Sequence, residues 1–70
     1  MVKCYSIKLK YGTMIKNLYF EGDDSQDAEI EWENICNGLT PIGDNSSSAS
    51  EFIENVVTYF SEHGFQRIAK

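Results

Sequence analysis

The sequence predicts a small α+β domain in the order β-β-α-α-β: a three-stranded sheet with two helices on one face. Three observations carry that prediction. Residues 2–21 alternate apolar and polar around a Gly-Thr pair, two later stretches repeat apolar residues at helical spacing, and a short apolar segment closes the chain. The chain has 70 residues, of which 41% are hydrophobic and 13% aromatic. That is apolar material for a core and length for a single domain over 1–70. A chain this short buries only about 60% of the surface its unfolded form exposes, so its stability margin is narrow. A multidomain enzyme, a collagen-like chain, a coiled coil and a disulfide scaffold are excluded.

The hairpin over 2–21 is justified by counting. A two-residue turn at Gly12-Thr13, with glycine first as a type II′ turn requires, sets Tyr11 opposite Met14, Leu9 opposite Lys16, Ile7 opposite Leu18 and Tyr5 opposite Phe20. All of these except Lys16 are apolar or aromatic. The other face pairs Lys10 with Ile15, Lys8 with Asn17, Ser6 with Tyr19 and Cys4 with Glu21, and is mixed. A slip of one residue would destroy this sorting, so the register is strongly specified.

Gly22-Asp23-Asp24 is expected to break the strand. Ser25 then reads as an N-cap with Asp27 in the first turn, and Ala28, Trp32, Ile35, Cys36 and Leu39 form an apolar stripe. Gly38 and Pro41 stop that helix, which spans about 26–37. Residues 40–49 are turn-forming and read as a loop. Ser48 with Glu51 forms a capping box for a second helix over 49–63, striped by Phe52, Ile53, Val56, Val57, Tyr59 and Phe60. His63 and Gly64 fit its C-terminus, and residues 65–69 read as a third strand whose neighbour in the sheet stays open. Trp32 is expected in the core beside Leu9 and Leu18. Tyr59 and Phe60 cannot both be covered by so small a sheet.

Motifs that carry chemistry are sparse. There is one histidine, and no Gly-rich phosphate loop, Cys-x-x-Cys pair or paired-histidine motif occurs. Asp23-x-Ser25-x-Asp27-x-Glu29 places oxygen ligands at alternate positions, as a calcium loop opens. However, Ala28 stands where its glycine belongs and Asn34 where its closing glutamate belongs. No catalytic residue, metal site or cofactor is therefore expected, and the chain reads as a non-enzyme. Cys36 falls on the helical core stripe and Cys4 on the outer sheet face. Two cysteines, an N-terminus without a long apolar core and the lack of any long apolar run point to a cytoplasmic protein with free thiols and no membrane partner.

Charge is the most informative feature. The formal net charge is −5, and no Lys or Arg occurs between Lys16 and Arg67, an interval that holds all 11 acids. From Glu21 to Glu33 there are seven acids in thirteen residues. A solvated helix face explains such a run without any partner. The functional alternative is a recognition surface of Asp23, Asp24, Asp27, Glu29 and Glu33 that imitates a row of phosphates and steers a basic partner protein toward it. Ile30, off the core stripe, and Tyr59 are its candidate apolar anchors. The expected function is accordingly a small acidic interaction module, an inhibitor or adaptor of the phage or mobile-element type that binds a larger basic host protein. Two alternatives come from other classes. The outer hairpin face, with Lys8, Lys10 and Tyr19, and with Arg67 or Lys70 joining, would hold nucleic acid, although the acidic balance of the chain repels a phosphate backbone. A homodimer would instead cover Ile15, Tyr19 or Tyr59.

Overall fold

In the computed structural model, which describes residues 2–39, 44 and 46–69, the elements follow in the expected order. They are β1 (Val2–Tyr11), β2 (Met14–Asp23), α1 (Gln26–Asn37), α2 (Ala49–Glu62) and β3 (Gln66–Ile68). The strands form one antiparallel sheet in the order β1-β2-β3. Every hairpin pair counted from the turn is present, from Tyr11 opposite Met14 to Cys4 opposite Glu21. Gly12 has φ +62° and Thr13 does not have a positive φ, which is the signature of a type II′ turn rather than type I′. β3 lies antiparallel to β2, with Tyr19 opposite Ile68 and Phe20 opposite Arg67.

One expected break is absent. β2 does not end at Glu21 but runs through Gly22 to Asp23, paired with Lys3 and Val2. The physical reason lies across the molecule in Phe65. A Cβ added at Gly22 would stand 2.5 Å from the Phe65 ring, so the ring rests directly on the glycine backbone. Gly22 is thus the seat for an aromatic side chain inside a strand, not a breaker.

The core forms between one sheet face and the helices. Tyr5, Leu9, Leu18 and Phe20 from the hairpin meet Ile35 of α1, Phe52, Val56 and Phe60 of α2, and Phe65. Burying one such side chain contributes about 1.5–3 kcal/mol. Trp32 packs against this core. Its ring lies 4.3–5.6 Å, centroid to centroid, from those of Phe60, Tyr5, Phe65 and Phe20. These five rings collect toward the open end of the hairpin, while Tyr11 stacks on Phe52 at 5.4 Å beside its turn. Of the adjacent pair on α2, Phe60 is fully buried and Tyr59 is exposed.

Local chemistry sets the helix ends. The Ser25 hydroxyl accepts from the Ala28 N–H and the Ser48 hydroxyl from the Glu51 N–H, both at 3.2 Å. The Glu51 carboxylate also accepts from the Ser47 hydroxyl. α2 ends in a Schellman motif. The Phe65 N–H donates to the Phe60 carbonyl, the Gly64 N–H donates to the Ser61 carbonyl, and Gly64 takes φ +92°. The Phe60 and Phe65 rings meet edge to face at 5.9 Å, the apolar contact that accompanies this motif. One turn thereby delivers Phe65 to Gly22 and starts β3. Gly38 ends α1 as expected, but with φ −95°, so its left-handed freedom is not used.

Of the expected loop over 40–49, residues 40–43 and 45 lie outside the described residues, Pro41 among them. Asp44 is helical, and 46–48 are irregular.

Candidate interaction surfaces

Helical geometry places α1's outward face. With 3.6 residues per turn, positions three and four apart are neighbours on the surface. Ala28, Trp32, Ile35 and Cys36 turn to the core, which leaves Ile30 outward with Asp27 three residues before it and Glu33 three after. Ile30 is 49% exposed, a large apolar side chain between two exposed carboxylates. Asp24 is exposed just before the helix. Acids in the first turn, Asp27 and Glu29, complement the helix dipole.

The five predicted acids are all exposed but differ in their element and their partners. Glu29 pairs with Lys3 of β1, whose ammonium also lies 5.3 Å from the Tyr5 ring centroid. The hydrogen bond to Glu29 holds Lys3 above its ordinary pKa. Asp23 belongs to β2 and lies on the sheet's outer side opposite Val2, and its carbonyl accepts from the Tyr5 hydroxyl at 2.6 Å. Asp24, Asp27 and Glu33 make no ion pair among the described residues. The site as built is therefore Asp27, Ile30 and Glu33, with Asp24 at its N-terminal end. Ser25, counted among alternating oxygen ligands, instead has its hydroxyl engaged as the α1 N-cap.

Reading along the sequence missed Glu31. Its carboxylate pairs with His63 Nδ1 at the end of α2, tying the helices together, and the His63 ring lies 4.7 Å from that of Tyr59. Glu31 and His63 are 32 positions apart, so no local spacing reports the pair. Tyr59, the second predicted anchor, is 39% exposed and covered on one side by that imidazole.

The alternative cationic site lies on the opposite side of the molecule. Lys8, Lys10 and Tyr19 do share the outer sheet face, and Lys8 and Tyr19 line one shallow depression with Ser6 and Asn17. Glu21 and Asp23 occupy the same face farther along β2. Arg67 does not join it, because it stands opposite Phe20 and shares the helix side of the sheet. Lys70 lies outside the described residues. A second depression, of about 330 Å³, opens near the turn between Leu9 and Tyr11 of β1, Leu39, and Phe52 of α2.

The cysteines differ as their strand and helix positions dictate. Cys4 is exposed on the outer sheet face and Cys36 is half-buried against the core. Burial, followed by the nearby Glu33 charge, pushes the Cys36 thiol above its ordinary pKa. Among the described residues, no helix is long and apolar enough to cross a membrane. No protein-family model, curated protein or solved structure matches this chain.

Proposed function

We propose that this chain is a small binding module, not an enzyme, that inhibits or redirects a larger protein by docking α1 on a basic surface. The observation that carries this reading is the outward face of α1. An exposed Ile30 sits between Asp27 and Glu33, which make no ion pair among the described residues. An apolar anchor rimmed by charge is how interfaces concentrate affinity, and a field of one sign raises the association rate while suppressing wrong partners. The net charge of −5 extends that field beyond the helix.

The test is capture of partners from candidate host lysates, with mass spectrometry, on wild-type chain and on chain carrying Asp27→Asn, Ile30→Ala and Glu33→Gln. A specific partner should be retained by the wild type and lost from the variant. Equal retention on both would move the site elsewhere.

Nucleic-acid binding by the outer sheet is the second reading, favoured by the depression that Lys8 and Tyr19 share. Glu21 and Asp23 on the same face oppose a phosphate backbone. Titration of labelled single-stranded and duplex oligonucleotides at low salt should show no saturable binding. Binding abolished by neutralising Lys8 and Lys10 would reverse the order of the two readings.

A further inference from the structure

We propose that the exposed edge of β1 pairs with β1 of a second copy, joining two sheets into one continuous antiparallel sheet of six strands. This concerns a different surface from α1 and does not depend on the function proposed above.

The two edges of the sheet are unlike. β3 is a three-residue strand, too short to template pairing. β1 is a regular strand of ten residues without a proline, matched residue for residue to β2 without a bulge. Such an edge presents a row of unpaired backbone groups. The tight turn makes Tyr11 and Met14 a hydrogen-bonded pair, so odd-numbered residues of β1 bond to β2 and even-numbered ones turn their N–H and C=O groups to the open side. Those residues, Val2, Cys4, Ser6, Lys8 and Lys10, are all exposed.

Charge selects both the occupant and the register. β1 carries Lys3, Lys8 and Lys10 and no acid, while Glu21 and Asp23 stand beside its far end on β2, opposite Cys4 and Val2. A two-fold pairing centred on Ser6 sets Lys8 against the partner's Cys4 and Lys10 against the partner's Val2. The partner's Glu21 and the partner's Asp23 then lie one strand farther on the same face. They are about 9.6 Å from the lysine backbone, two strand spacings, which the side chains span together. Every such contact occurs twice. Lys3, on the other face, meets the partner's Leu9, and Tyr5 meets the partner's Ile7.

Registers shifted toward the turn do worse. The one centred on Ile7 sets Lys8 against the partner's Ser6 and Lys10 against the partner's Cys4, which leaves only Lys10 beside an acid, the partner's Glu21. Those beyond it oppose Lys8 to the partner's Lys8, Lys8 to the partner's Lys10, or Lys10 to the partner's Lys10, and like charges directly opposite are destabilising. The Ser6-centred register uses residues 2–10 of both strands and opposes no two lysines. Val2, which is 68% exposed in the single chain, is then covered by a lysine stem.

Sedimentation from micromolar to millimolar protein tests this. The mass should rise from one chain of 8.0 kDa toward two. Ser6→Pro removes an N–H that faces the open edge and spares the β1–β2 ladder, so that variant should remain one chain with the wild-type near-ultraviolet signal of its aromatic cluster. A charge exchange tests the register without proline. Chains with Lys8→Glu and Lys10→Glu, and chains with Glu21→Lys and Asp23→Lys, should each self-associate about tenfold more weakly or worse, and should pair with each other when mixed. A wild-type chain that stays single at millimolar concentration overturns the proposal, as would a Ser6→Pro chain that pairs normally. Charge variants that fail to pair on mixing overturn the register.

Discussion

The two helices lie on the same sheet face but bury themselves very differently. α2 sends Phe52, Val56 and Phe60 fully into the core, whereas α1 sends only Ile35, with Trp32 and Cys36 partly covered. Four of the seven acids between Glu21 and Glu33 lie on α1, and the exposed Ile30 lies there too. α2 is shaped by packing. α1 is held by Ile35, Trp32 and the contacts of Glu29 with Lys3 and of Glu31 with His63, and leaves Asp27, Ile30 and Glu33 exposed. In a chain with a narrow stability margin, the element least used by the core is the one free to carry recognition.

The largest expected effect lies in α2. Phe60→Ala should cost about 3–5 kcal/mol in chemical denaturation. That is most of the stability of a domain near the low end of about 5–15 kcal/mol. Ile35→Ala, at the single fully buried position of α1, should cost less than Phe60→Ala. Equal costs would erase the contrast between the helices.

Next comes the junction that follows α2. Gly22→Ala sets a methyl against the Phe65 ring, and should destabilise by about 1–3 kcal/mol through overpacking. Pairing it with Phe65→Leu, which vacates part of the space, should recover some of that loss. No recovery would mean that the glycine is required for another reason.

The thiols sharpen the comparison by rate. Cys4 should react with a maleimide much faster than Cys36, because Cys36 is partly covered and its thiolate is disfavoured by burial and by Glu33. In denaturant the two rates should converge. Similar rates in the folded chain would mean that α1 detaches readily from the core.

The smallest effect on stability belongs to the outward face. Ile30→Ala should change unfolding free energy by no more than about 0.5 kcal/mol, as is usual for exposed positions. A cost comparable with that of Ile35→Ala would make Ile30 a packing residue and remove it from the recognition surface.

Much of this architecture is legible along the chain, because its causes are periodic and local. The hairpin register follows from a period of two and one turn. The α1 and α2 boundaries follow from Ser25, Ser48, His63 and Gly64, whose capping roles depend only on near neighbours. Gly22 was opaque because Gly-Asp-Asp has the composition of a break, and only a phenylalanine forty-three positions later turns that glycine into a seat. Lys3–Glu29 and Glu31–His63 were hidden for the same reason: a helical wheel shows which acids face outward, not which meet a side chain from another element. Arg67 fell on the unexpected side of the sheet because its register depends on how the α2 C-terminal turn delivers Phe65.

We propose that α1's outward face recognises a partner without holding the fold together. The most direct measurement is quantitative capture of the wild-type partner on immobilised chain carrying Asp27→Asn, Ile30→Ala and Glu33→Gln, with its folded state checked by denaturation. The expected result is wild-type stability to within about 0.5 kcal/mol and loss of most of the captured partner, with the deficit shrinking as salt rises. A folded variant that retains as much partner as the wild type at low salt would contradict the claim.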